Sequence, residues 1–190
     1  MGCDGSSMFR KDFVQRKLQL IAEDLGHLLH FMDLSLQELT DDFVQAAAVE
    51  RILERMVMRA IDVNEHLFSE LSTGAEDRIT RLSYRDIFLG LSDLGVYPKD
   101  FAERIAKSAG LRNILVHDYN DLDREVLHSS IKSCLEDYHF YVDSLRAFLQ
   151  EIREEAAGLV ERSLEKILQE KVDNEKDREL IKNALQKENK

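Results

Sequence analysis

The sequence predicts an all-α protein with a charged helical extension on its C-terminal side, and three observations carry that reading. A single proline, eight glycines and no tryptophan supply too few turn residues for a β-sandwich or barrel, which needs a turn signal every ~8–12 positions. Apolar residues recur at the three- and four-residue steps of amphipathic helices along most of the chain. After Gln150 the composition shifts: of the forty residues from Glu151 to Lys190, eleven are acidic and nine basic.

The first helix is read from Met8 to Leu34, on a stripe of Phe13, Leu18, Ile21, Leu25, Leu28, Leu29 and Met32. Ser35-Leu36-Gln37-Glu38 has the form of a capping box, in which serine and glutamate each satisfy a backbone amide of the helix start. It opens one short turn. A second helix starts near Thr40-Asp41-Asp42 and runs to about Leu71, with Phe43, Ala46, Leu53, Met56, Val57, Ile61, Leu67 and Phe68 among its inward positions. Gly74 is its expected stop.

Ser83-Tyr84-Arg85-Asp86 repeats the box ahead of a third helix that buries Ile87, Phe88, Leu91 and Leu94 and ends at Gly95. Pro98 suits the first turn of a fourth, because its missing amide hydrogen is not needed there. That helix continues through Phe101, Ile105 and Ala109. Asn120-Asp121-Leu122-Asp123 then gives a turn and a cap. The long helix that follows carries Val126, Ile131, Cys134, Leu135, Tyr138, Tyr141, Leu145, Phe148, Leu149 and Ile152.

A thinner stripe persists beyond it through Ala156, Leu159, Val160, Ile167 and Leu168. Asn174 with Asp177 can cap a last helix containing Leu180, Ile181, Ala184 and Leu185. The expected organisation is a helical domain over 8–150 and an extension over 151–190. The extension is either a solvated helix, as charge runs usually are, or a partner-binding arm.

At 190 residues the chain suits one domain with a proper core. Lysine and arginine total 26 and aspartate and glutamate 37, a net charge of −11. Such a surface repels a polyanion at long range, so any nucleic-acid contact needs a local basic patch. Cys3 and Cys134 are the two cysteines, which fits a reduced, cytoplasmic protein better than a disulfide framework. No apolar run approaches the ~18 residues of a membrane span, and no signal peptide is visible. Met1-Gly2-Cys3-Asp4-Gly5-Ser6 matches the loose myristoylation pattern; it is read as a start-site artefact or expression scar ending at Met8.

No Gly-rich phosphate loop, zinc-spaced cysteine pair or His-Glu-x-x-His is present, so any catalysis is expected to be metal-independent, without a cofactor. His27 and His30 lie one helical turn apart but have no third ligand nearby and read as surface or half-buried side chains. One segment combines chemistry-bearing groups: Leu111-Arg112-Asn113-Ile114-Leu115-Val116-His117-Asp118-Tyr119. On a helix Asn113 and His117 lie roughly 40° apart, and Arg112 and Tyr119, seven apart, also align.

Phosphodiester chemistry on RNA has a use for each of these groups. An imidazole, with an unperturbed pKa of about 6.5, can take the 2′-hydroxyl proton or give one to the leaving 5′-oxygen. A guanidinium forks onto the oxygens of the more negative transition state. Arg104, Lys107 and Arg112 form a local basic strip, with no acid from Arg104 to His117. The same residues also suit a plain helix terminus, with His117 opposing the C-terminal dipole. Spacing alone leaves both readings open.

The segment resembles the signature of the HepT-like toxin branch of the HEPN superfamily: Arg, four residues, His, any residue, Tyr, with Asn after the Arg. Ala60-Ile61-Asp62-Val63-Asn64-Glu65-His66 resembles the family's second-helix segment. Ser83 to Phe88, with Leu91 and Gly95, resembles its third. The resemblance covers roughly Phe9 to Gln150.

It implies an antiparallel, HEPN-like helical bundle that forms a homodimer and brings two Arg–His motifs into one cleft. It implies a metal-independent RNase acting as the toxin of a type VII toxin–antitoxin pair, with an MntA-like minimal nucleotidyltransferase as cognate antitoxin. Arg112 and His117 would be catalytic, Asn113 supporting, and Tyr119 the hydroxyl that receives AMP. Asp62, His66 and Tyr84 match family-typical positions that packing explains at least as well. The rival functions are a non-catalytic HEPN module that binds nucleotide or RNA or pairs with a nucleotidyltransferase, and a helical interaction protein working through its charged tail.

Overall fold

The computed structural model describes residues 11–72, 82–111 and 124–172, and among them every regular element is helical. These helices are α1 Lys11–Leu29, α2 Leu36–Asp41, α3 Phe43–Leu71, α4 Tyr84–Asp93, α5 Lys99–Ile105 and α6 Arg124–Val172. The chain forms two compact units, Met1–Leu145 and Arg146–Lys190.

Within the first unit the core is built around α3. Its buried residues run from Ala46 to Phe68 and include Leu53, Met56, Val57, Ile61 and Leu67, a set too wide for one face. Accordingly α1, α2 and α4 all pack on it, and α5 packs on α4. From α6, Tyr141 reaches the same core, donating its hydroxyl to Asn64 Oδ1 at 2.7 Å and to the Ala60 carbonyl at 3.2 Å. All-α expectation and outcome agree.

The helix boundaries follow local chemistry. Both predicted capping boxes are formed: Ser35 with Glu38, and Ser83 with Asp86. Asp42 caps α3, accepting from the amides of Val44 and Gln45. α4 ends in a Schellman motif, with Gly95 donating to the Ser92 carbonyl and Val96 to the Leu91 carbonyl. Gly95 takes φ +79° there, a left-handed conformation that a side chain disfavours. Gly90 has a different role. A Cβ added there would sit 2.5 Å from the Phe68 ring, so the missing side chain is what lets α4 approach α3.

Some expectations need correction. The first helix stops at Leu29, and i→i+3 bonds such as Phe31 to Leu28 tighten the chain through Leu34 instead. Leu29, Met32 and Phe43, read as inward, are exposed. Leu28 already fills the inward position beside Leu29, and Phe43 is the first residue after the Asp42 cap, where the helix has not yet entered the core. Pro98 is the N-cap, one residue before its expected place. Met8, Gly74 and the 174–185 helix lie outside the described residues.

Candidate functional site

Arg112, Asn113, His117 and Tyr119 lie outside the described residues. What is described is the frame on either side of them. Upstream, the chain turns at Ala106 and Lys107 and makes a further helical turn over residues 108–111. That turn is anchored: Ala109 and Leu111 are buried, and Ser108 Oγ donates to the Ile105 carbonyl at 2.6 Å. The Tyr138 hydroxyl on α6 donates to the same Ser108 Oγ at 3.0 Å. Downstream, Arg124 opens α6 and pairs with Glu50 of α3 at 2.9 Å. The described chain is thus anchored in the core at Leu111, one residue before Arg112, and again at Arg124, through its ion pair to α3.

Beside the upstream anchor runs a groove of about 690 Å³ between α4 and α5. Arg85, Lys99, Arg104 and Lys107 line it, together with Asp93, Asp100 and Glu103. Arg104 is committed to Asp137 at 2.5 Å, and this hydrogen bond raises its affinity for its proton. The described part of the basic strip, Arg104 and Lys107, thus lies among acids that the linear run from Arg104 to His117 did not contain.

The tyrosines separate by environment. Tyr97, Tyr138 and Tyr141 are buried, and each phenol is hydrogen-bonded, Tyr97 to the Phe88 carbonyl at 2.9 Å. Burial pushes all three well above the usual phenol range, so none is a reachable or ionisable hydroxyl. Tyr84 is half-buried at the start of α4.

The remaining candidates have structural work. Asp62 pairs with Lys17 of α1 at 2.5 Å, and His66 meets the Phe13 ring edge-on at 5.3 Å. Asp24 on α1, 2% exposed, is held by Arg55 at 2.6 Å and by Arg59, both on α3. His27 and His30 are exposed, and His128 Nε2 lies 2.7 Å from the Leu34 carbonyl. Sequence reasoning missed the framing roles of Glu50, Ser108, Arg124 and Tyr138. Tyr138 was legible only as a core residue, because a hydroxyl's partner thirty residues away leaves no periodic trace.

A family model described as "Ribonuclease HepT-like" matches residues 21–152. The chain is 33% identical over 144 residues to the tRNA nuclease HepT of Aphanizomenon flos-aquae, covering 75% of this chain and 93% of that protein. It is 28% identical over 106 residues to the mRNA nuclease HepT of Shewanella oneidensis, covering 56% and 76% respectively. Among solved structures, the tri-AMPylated HEPN toxin of Shewanella oneidensis in complex with its MNT antitoxin superposes with a TM-score of 0.62 at 24% identity, over 72% of this chain and 98% of that one. No helix among the described residues is long and apolar enough to cross a membrane.

Proposed function

The chain belongs to the HepT-like ribonuclease family, and from that premise we propose that it is a metal-independent endoribonuclease, the toxin of a toxin–antitoxin pair. The observation that carries the reading is the intact Arg112-Asn113-x3-His117-x-Tyr119 run within the 21–152 span that matches the family. His117 moves the proton between the 2′-hydroxyl and the leaving 5′-oxygen. Arg112 stabilises the charge that grows on phosphorus-bound oxygen, where a fixed cation acts without reorganising. Asn113 supports the pair.

A single Arg and a single His make a sparse site. Two copies related by a twofold axis make a fuller one, so the working form is a C₂ homodimer with both Arg112–His117 segments near the axis. Lys99 and Lys107, in the groove beside the upstream anchor, are the described cations that flanking RNA phosphates meet. They partly offset the repulsion expected from a net charge of −11.

Control runs through Tyr119. A cognate MntA-like nucleotidyltransferase transfers AMP to its hydroxyl, as the AMPylated toxin and its antitoxin among the structural relatives suggest. The three buried tyrosines cannot accept AMP without unfolding, which favours Tyr119. The added phosphate competes with RNA for Arg112.

The test is cleavage of transfer RNA and of a structured messenger fragment, with and without EDTA. Cleavage that survives EDTA and is lost in a folded His117→Ala protein is expected. A folded His117→Ala protein that still cleaves overturns the assignment, and RNA binding without cleavage by the wild type leaves the non-catalytic module in its place.

A further inference from the structure

The groove between α4 and α5 has an internal order that a general affinity for phosphate does not require. The two helices pack together and are joined by residues 94–98, so residues early in α4 lie beside residues late in α5. Arg85 and Lys107 therefore share the end of the groove away from the connection. Leu89 and Glu103 line its middle, and Asp93, Lys99 and Asp100 the end beside the connection. From Arg85 to Asp93, as from Lys99 to Lys107, the chain advances about 12 Å along a helix axis.

The middle is the part that needs explaining. Glu103 is exposed and lies one helical turn from both Lys99 and Lys107, the spacing at which helix ion pairs form. Among the described residues it is nonetheless paired with neither. Arg85, Lys99 and Lys107 likewise make no ion pair with a described residue, whereas Arg104 beside them is held by Asp137. Leu89, half-buried, gives the middle an apolar floor. Along the groove the order is cation, carboxylate over an apolar floor, cation.

One nucleotide of single-stranded RNA satisfies that order. Its flanking phosphates reach the cations at either end, its base lies on Leu89, and its Watson–Crick edge faces the carboxylate. Asp93 and Asp100 oppose a phosphate at Lys99, so the firmer anchor is Arg85 with Lys107. The Lys107 carbonyl also accepts from the amides of Gly110 and Leu111, which builds this anchor into the frame that precedes Arg112 in the chain.

The carboxylate selects the base as well. An ionised carboxylate only accepts, through two oxygens side by side. Guanine alone among the four bases presents two adjacent donors on that edge, N1–H and the N2 amino group. Adenine and cytosine offer one amino group beside an acceptor nitrogen, and uracil one imino group between two carbonyls. In each of these a lone pair faces the second carboxylate oxygen and is repelled.

Resting on the ribonuclease reading for the class of ligand, we propose that the α4–α5 groove is a subsite for one unpaired guanosine of the RNA. Arg85 and Lys107 hold a flanking phosphate, and Glu103 reads the guanine edge. Glu103 is thus a specificity residue and takes no part in bond cleavage.

Fluorescence anisotropy with the full-length chain tests it, using His117→Ala to prevent cleavage during binding. The probes are labelled oligouridylates that carry G, A, C or U at one central position. The G strand should bind at least about fivefold more tightly than the U strand, the lower end for a bidentate base contact. Glu103→Gln should erase that preference while binding the U strand no more weakly, because a negative charge leaves the groove. Arg85→Glu and Lys107→Glu should each weaken all four strands about equally, by roughly fivefold or more at low salt. Lys132→Glu, an exposed charge reversal on α6 outside the groove, should not. The substituted side chains of the groove are exposed, so circular dichroism should be unchanged throughout. Equal binding of the four strands overturns the proposal, as does a guanine preference that survives Glu103→Gln, or Arg85→Glu behaving like Lys132→Glu. Groove variants that keep RNA binding but lose capture by a cognate nucleotidyltransferase also overturn it, and make the groove a protein-docking surface. Wild-type cleavage of the same strands separates the two readings. Cleavage without guanine preference in binding removes the subsite alone, and guanine-selective binding without cleavage removes the ribonuclease reading alone.

Discussion

The Tyr138 hydroxyl and Ser108 Oγ lie 3.0 Å apart inside the core, tying α6 to the helical residues 108–111 that precede Arg112 in the chain. Tyr138→Phe removes the donor and leaves Ser108 bonded to the Ile105 carbonyl. The expected loss is about 1 kcal/mol of stability, the net worth of a typical buried hydrogen bond. If that turn orients Arg112, kcat falls with KM little changed. Urea denaturation together with steady-state cleavage reads both, and unchanged kcat in a destabilised protein reduces the contact to packing.

His117→Ala and Arg112→Ala are each expected to lose most cleavage while remaining folded. The double variant should be little worse than either single, because groups that act as a unit are strongly non-additive. Single-turnover cleavage with a circular dichroism control checks this. Independent, multiplying losses would show that the two side chains act at different steps.

Incubation with a cognate nucleotidyltransferase, ATP and magnesium should add mass in AMP increments and abolish cleavage. Tyr119→Phe should block both effects. Peptide mapping that places the AMP on Tyr84, or silencing of the Phe variant, would remove Tyr119 from the mechanism. Mapping to Tyr138 or Tyr141 would require the core to open, since both are fully buried.

Glycine substitutions separate two backbone roles. Gly90→Ala drives a methyl into the Phe68 ring and should cost about 1–3 kcal/mol, the range for overpacked cores. Gly95→Ala meets open space but a left-handed φ, and should cost about 1–2 kcal/mol. Thermal melting should show drops of roughly 2–4 °C per kcal/mol for a chain of this size. Equal or higher melting temperatures would contradict the close approach at Gly90 and the Schellman geometry at Gly95.

Acid stability follows from the caps. Hydrogen bonds from Ser35 hold Glu38 below the usual carboxylate range, those from Gln45 do the same for Asp42, and those from Ser83 for Asp86. A carboxylate whose folded pKa is depressed stabilises the fold above its unfolded pKa, near 4, and loses that contribution as pH falls through the folded value. Melting temperature should therefore decline below about pH 4.5. The decline should be shallower in Glu38→Gln with Asp86→Asn, and identical pH profiles would rule the caps out as its source.

The capping boxes at Ser35 and Ser83 and the stop at Gly95 were legible because they are local: three or four residues contain the whole interaction. The stripes were legible where burial is regular, as at Leu18, Ile21 and Leu25, and misleading at Leu29, Met32 and Phe43, where the pattern outruns the neighbour it would pack against. Contacts that join distant elements were not legible at all. Asp24 with Arg55 and Arg59, and Glu50 with Arg124, depend on which helices become neighbours, and charge at a helical position reads as solvent-facing until that is known. The candidate site was readable as a string of side chains, from Arg112 to Tyr119, and its supports at Ser108, Tyr138, Glu50 and Arg124 were not.

Asp24 sets a limit on how this bundle can be assembled. A chain made of amphipathic helices with similar stripes offers many nearly equivalent pairings, since sliding α1 along α3 by one turn exchanges one aliphatic neighbour for another. A carboxylate that is 2% exposed is less forgiving, because a slipped register leaves it without Arg55 and Arg59, at a cost of about 3–5 kcal/mol for a broken buried pair. The cluster thus distinguishes the native alignment from its near misses. Replacing all three residues with Leu, Met and Met should preserve melting temperature while broadening the amide resonances of α1, the signature of a helix that has found more than one place to rest.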